Sequence, residues 1–209
     1  MKHEWRKQEK AFYLPKNKPE LLDIPKYTFI TLSGKGNPND DFFSEYIGVL
    51  YSVAYAIKMN LKKSKNPPKD YQDWAVYPLE GVWDIAKDAQ QNSDKSINKD
   101  DLVFDLMIRQ PNFVGEDFFN EMIEITKNRK PHQLLSEVKF KTITEGKCIQ
   151  MLHIGSYDDE PQSFQKMERF ATELNLRRKS KIHREIYLSD VRKVEVEKLK
   201  TVLRFQVEV

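Results

Sequence analysis

Between residues 42 and 61 apolar side chains recur at helical spacing, with Phe43, Ile47, Leu50, Ala54 and Ile57 sharing a face, and this predicts an amphipathic helix. "KSKNPPKD" ends it. Two further helices are predicted over 118–126 and 163–174. Strand patterns cover 26–33, 74–85 with a bend or edge at Pro78, 102–109 up to Pro111, 138–144, 148–154, 184–190 and 202–209. The two strands on either side of Glu145-Gly146-Lys147 are expected to turn there, and residues 1–20 form an arm or frayed helix. In "HREIYLSD", period two puts His183, Glu185, Tyr187 and Ser189 on one face, with Ile186 and Leu188 on the other.

One pattern occurs twice: strand, glycine, acidic turn, Phe, helix, as "TFITLSGKGNPNDDFF" and as "CIQMLHIGSYDDEPQSF". Later in each half, Asp105–Pro111 can be laid over Glu185–Val191, which matches Asp105 to Glu185 and Met107 to Tyr187. A period this long excludes a solenoid. The expected fold is α+β: duplicated βαββ modules related by a pseudo-twofold, forming an antiparallel sheet with a central ligand groove. The arm would span 1–20 and a single domain 21–209, its modules dividing near 130.

Charge narrows the functional classes. Lys and Arg number 35 against 32 Asp and Glu, for a net charge of +3, so a general nucleic-acid footprint is not expected. The one basic run, Arg177-Arg178-Lys179-Ser180-Lys181, reads as a solvated turn. Cys148 is the single cysteine, which rules out an intrachain disulfide and fits a reducing compartment. The first residues lack a signal-peptide apolar core, and no apolar window approaches a membrane span. A cytoplasmic monomer is the expectation.

Glu185 sits on a strand flanked by apolar groups, where desolvation favours a carboxyl that can orient a water or pair with a cation. Tyr187, two residues on, shares its face, and its hydroxyl can reach a ligand carbonyl. His153, His183 and Glu185 lack the spacing of a metal set and there is no HExxH, so no metal is expected. The "GKG" at Gly34–Gly36 lacks the spacing of a phosphate loop and reads as a turn. "YDDEP" lacks that of a calcium loop and reads as a helix cap, and no nucleophile-elbow motif supports a serine hydrolase.

Several strings stand together: "YPLEGVWD", "LMIRQPNF", "LHIGSYDDEPQSF", "HREIYLSD" and "EKLKTVLRFQV". With them the chain resembles the GyrI-like small-molecule-binding family, in its free-standing full-length branch, from about Ile24 onward. The resemblance implies the duplicated βαββ fold, no organic cofactor, and an aromatic-lined groove for bulky aromatic or cationic compounds, with Glu185 at the family's strand glutamate. Some relatives are effector domains of multidrug-sensing regulators. Others hydrolyse the cyclopropane of duocarmycin-like or yatakemycin-like DNA alkylators.

On that pattern Trp83, Phe104 and Tyr187 form an aromatic cage, with Met107, His153, His183 and Tyr55 as further ligand contacts and Glu185, Tyr187 and Tyr157 as catalytic candidates. The chain departs from the family in carrying Phe104 where Trp is frequent and Val191 where Pro is frequent. A binding-only sensor or sequestering protein is the alternative. The roughly 20 residues before the first strand are too few for a helix-turn-helix, and the near-neutral charge does not suit a DNA-mimicking gyrase inhibitor.

Overall fold

The computed structural model describes residues 2–86 and 98–209. In chain order its elements are α1 (Trp5–Gln8), α2 (Lys10–Tyr13), β1 (Glu20–Ile24), β2 (Tyr27–Lys35), α3 (Asp41–Lys63), β3 (Leu79–Ile85), β4 (Leu102–Gln110) and α4 (Glu116–Arg129). There follow β5 (Lys139–Ile143), β6 (Gly146–Ile154), α5 (Glu160–Glu173), β7 (Arg177–Arg178), β8 (His183–Tyr187) and β9 (Lys200–Glu208). The fold is mixed α+β with antiparallel strand pairing, as expected.

The described chain divides into two compact units. The first holds residues 2–4, Tyr27–Tyr77 and Asp84–Ile143; the second holds Trp5–Lys26, Pro78–Trp83 and Thr144–Val209.

In the first unit β2 runs between β4 and β5, and α3 and α4 supply the helical layer. The α3 face is that of the 42–61 periodicity, with Val49, Leu50, Val53, Ala54, Ile57 and Leu61 buried. The Val, Leu and Ile side chains among these each contribute about 1.5–3 kcal/mol on full burial. Gly34 is a strand residue of β2 rather than part of a turn, and the reason is packing: the Phe104 ring fills the space where its Cβ would stand, with Phe43 and Tyr46 edge-on to that ring. A Cβ at Gly34 would stand 2.8 Å from the Tyr46 ring and closer still to Phe104. Gly36, at φ 122°, makes the turn.

In the second unit the strand order is β1-β6-β9-β8-β3, with β7 added to the end of β9. Strand alternation gives this sheet two unlike faces. On one, Ile149, Met151, Leu203 and Phe205 pack against Met167 and Ala171 of α5. The other face is charged and nevertheless buried. Arg184 of β8 stands directly opposite Arg204 of β9, and their side chains are 2% and 3% exposed as residues.

Glu145 joins the two arginines. Its Oε1 accepts from Arg184 Nε at 2.9 Å and its Oε2 from an Arg204 guanidinium nitrogen at 3.1 Å. Glu80 of β3 accepts from Arg184 at 2.8 Å and from the Tyr13 hydroxyl at 3.3 Å. Gln150 and the Ala11 and Phe12 carbonyls complete the set. Burial pushes Glu80 above the usual carboxylate range despite its arginine partners. At Glu145 burial acts the same way, but Arg184 and Arg204 together outweigh it and hold the group low.

Several expectations change here. The N-terminal segment is no loose arm: Trp5 and Tyr13 are buried, and Glu20–Ile24 is a strand paired with β6. Glu145-Gly146-Lys147 does not close a hairpin, since β5 pairs with β2 while β6 pairs with β1 and β9. The basic run is partly strand, because Arg178 lies between the Phe164 and Phe205 rings and bonds Glu168 at 2.9 Å. The overlay of Asp105 on Glu185 also fails. In pairing, β4 is to β2 what β9 is to β6, so the counterpart of β4 is β9 and not β8.

Cys148 is buried on the charged face, aligned with Leu22 and Gln206. Burial pushes its thiol up to about 12.

Glu145→Gln removes the charge that separates two buried guanidinium groups and is expected to cost about 3–5 kcal/mol, read from urea unfolding. Gly34→Ala is expected to cost about 1–3 kcal/mol by overpacking. Combined with Phe104→Leu, which vacates the same space, its cost should be smaller than in the wild-type background.

Candidate functional site

β8 carries the site because its two faces diverge. His183, Glu185 and Tyr187 alternate with Arg184 and Ile186, so anchoring the arginine in the charged face turns the other three toward α5. The strand ends at Tyr187, earlier than the sequence pattern suggests. Ser189 therefore lies off this face, where its hydroxyl accepts from the Lys200 backbone N–H.

A hydrogen-bonded chain crosses from β3 to β8. Trp83 Nε1 donates to the Tyr187 hydroxyl at 2.8 Å, and that hydroxyl donates to Glu185 Oε2 at 2.8 Å. His183 Nε2 meets Glu185 Oε1 at 3.1 Å. Glu185 is 8% exposed, so its carboxylate is held as an acceptor among aromatic rings. Tyr157 meets Tyr187 edge-on with ring centroids 6.2 Å apart, and Phe164 meets His183 at 4.7 Å.

Both tyrosine hydroxyls stay protonated at neutral pH. Desolvation, then Glu185, raises Tyr187 well above its ordinary value, and the same causes push Tyr157 up to about 12. Each is thus a neutral donor, able to polarise a carbonyl but not to act as a base.

The acidic turn supplies a residue that the sequence reading passed over. Glu160 opens α5, is 6% exposed and places a carboxyl oxygen within 4.8 Å of Glu185. Burial first and Glu185 second push its carboxyl up to about 10. A helix N-terminus favours the ionised form by about 1 kcal/mol, which is too little to reverse this. The expectation that "YDDEP" caps the helix also needs correction. Asp159 makes no capping bond, and the Ser156 hydroxyl instead accepts from the Asp158 N–H in the turn before α5.

Glu160, His183 and Glu185 each place one N or O atom within 4.8 Å of the others. The Glu185 oxygens are already engaged by Tyr187 and His183, and the set offers no fourth ligand among the described residues.

The other candidates separate by position. His153 is a structural pin: Nε2 donates to the Ser156 carbonyl and Nδ1 pairs with the Ser163 hydroxyl, both at 2.9 Å, which ties β6 to the start of α5. Phe104 and Met107 are buried in the first unit, Phe104 over Gly34 and Met107 opposite Thr31. Tyr55, also of the first unit, is 51% exposed and lies against Tyr51. The structure thus brings Trp83, Tyr157, His183, Glu185 and Tyr187 together in the second unit. Phe164 and Glu160 join them; the only sequence signals for these two were the Phe after each acidic turn and the last carboxylate before Pro161.

A buried carboxylate held by a Tyr–Trp relay among aromatic rings defines a protein that takes organic small molecules. The family comparison agrees: the GyrI-like small molecule binding domain matches residues 17–208, and the chain belongs to this family. A hydrolase from Listeria innocua is 34% identical, with a TM-score of 0.87 over 99% of this chain and 100% of its own. An uncharacterized conserved protein from Listeria innocua is also 34% identical, with a TM-score of 0.86 over the same shares. The EcmrR C-terminal domain, at 13% identity, shares the fold with a TM-score of 0.54 over 91% of this chain and 97% of its own. No curated protein matches. No helix among the described residues is long and apolar enough to cross a membrane.

A carboxyl that is protonated when folded and ionised when unfolded binds more protons in the native state, so its contribution to stability falls as pH rises. For Glu160 the window runs from its ordinary value near 4.5 to about 10. Urea unfolding of the wild type should lose up to about 1.4 kcal/mol per pH unit there, while Glu160→Gln flattens the dependence.

Proposed function

We propose that this protein binds planar, electrophilic aromatic compounds at Glu185 and opens the cyclopropane of duocarmycin-like or yatakemycin-like alkylators by adding water. The observation that carries this reading is the Trp83–Tyr187–Glu185 relay, which holds a buried carboxylate as a proton acceptor within an aromatic wall. With Tyr187 on one oxygen, His183 on the other and the Glu160 acid beside them, the Glu185 carboxylate keeps one lone pair at which a water can be bound and oriented. The 34% identical Listeria innocua hydrolase supports a hydrolytic reading.

In the reaction the water oxygen attacks the strained cyclopropane carbon as Glu185 takes its proton. The breaking C–C bond delivers its electron pair through the conjugated ring to the carbonyl oxygen. That oxygen becomes a phenolate and recovers the proton, so the balance is one water added. Tyr157, a neutral hydroxyl donor at the rim, stabilises the developing negative charge. Trp83 and Tyr187 hold the plane of the substrate, and positioning lowers the barrier. The product has no strained ring and cannot alkylate DNA.

The test is mass-resolved turnover of a yatakemycin-like cyclopropanoid in excess over protein. Wild type should yield more water adduct than there is protein, and Glu185→Gln should lose this by about 100-fold or more, the usual scale of a general base. Unchanged compound that quenches Trp fluorescence would leave a binding protein without turnover.

A further inference from the structure

Glu160 and Glu185 are an unusual pair to bury together. Each places a carboxyl oxygen within 4.8 Å of the other, both residues are more than nine-tenths buried, and Glu160 Oε1 has no hydrogen-bond partner. Two carboxylates at this separation in a desolvated setting cannot both ionise. Among the described residues no Lys or Arg forms an ion pair with either of them, and His183 is the one ion-pair partner of Glu185. The groups that face the pair are His183 and Tyr187 from β8, Tyr157 and Asp158 from the turn before α5, and Trp83 from β3. Around them Tyr157 meets Tyr187 edge-on at 6.2 Å and Phe164 meets His183 at 4.7 Å, and aromatic rings beside a carboxylate suit a cation with apolar substituents.

We propose that Glu160 and Glu185 form one acid–carboxylate pair that shares a single proton, and that a lipophilic cation docking at the site takes the place of this proton. In the empty protein Glu160 carries the proton and donates it to Glu185, so the pair presents one negative charge. A quaternary ammonium group near the pair favours the doubly ionised form, and the proton leaves to solvent as the cation arrives. The charge of the buried site is then balanced to the same degree before and after binding. Cation affinity must rise with pH, by close to tenfold per unit, while the empty pair still holds its proton. A neutral ligand of the same shape displaces no proton, and its affinity does not follow pH. The inference rests on the small-molecule site lying at Glu185 and does not require turnover.

Two measurements test it on the intact chain. In protein labelled with 13C at the glutamate carboxyls, one resonance that disappears in Glu160→Gln should stay at the shift of a protonated acid through pH 7. Calorimetry with benzyltrimethylammonium in phosphate and in Tris at pH 7 should then show about one proton released per cation bound, and none with its carbon isostere neopentylbenzene. In Glu160→Gln the cation should still bind, with no proton release and no pH slope. The proposal is overturned if every glutamate carboxyl ionises below pH 6, or if the cation binds without releasing a proton. Failure of the cation to bind at millimolar concentration, or a stoichiometric divalent metal in the purified protein, would overturn it equally. Each of these results stands apart from the cyclopropanoid assay, which reads turnover alone.

Discussion

The second unit depends on how two buried arginines are kept from repelling each other. Arg184 and Arg204 are register partners on β8 and β9, an arrangement that is unfavourable unless a counter-charge stands between them. Glu145 supplies it, with one oxygen to each guanidinium, and Glu80 takes the remaining side of Arg184. Desolvating four charges costs several kcal/mol per ion, and only complete pairing offsets this. The pairing therefore tolerates one register of β8 against β3 and β9. A slip by a single residue would carry Arg184 to the apolar face packed by α5.

That constraint reaches the site through the strand itself. Because neighbouring side chains on β8 point to opposite faces, fixing Arg184 on one side fixes His183, Glu185 and Tyr187 on the other. The relay from Trp83 then aligns the Tyr187 hydroxyl, and Tyr187 in turn orients the carboxylate. The site is accordingly built on regular strand and on the first turn of a helix, elements that hold geometry better than loops do.

Periodicity made much of this legible. The 42–61 pattern matches α3, and the alternation in "HREIYLSD" put Glu185 and Tyr187 on the face they occupy. What periodicity does not carry is long-range pairing. Arg184 was open to the same alternation argument as Glu185, but its partners come from Glu80 and Glu145, 104 and 39 residues away. Glu160 was hidden differently, since a carboxylate in an acidic turn before proline looks the same whether solvated or buried. Phe104 and Gly34 show a third case: a glycine that seems to mark a turn is instead the floor beneath a ring, which only packing reveals.

The lone cysteine takes on a meaning that its burial alone does not suggest. Cys148 lies on the charged face of the sheet, turned away from Glu185, and its thiol stays protonated far above neutral pH. Soft electrophiles are trapped by thiolates, and this chain offers none. An electrophile reaching the Glu185 cluster would therefore meet nitrogen and oxygen donors but no thiolate, and the adduct that an exposed cysteine invites has no partner there.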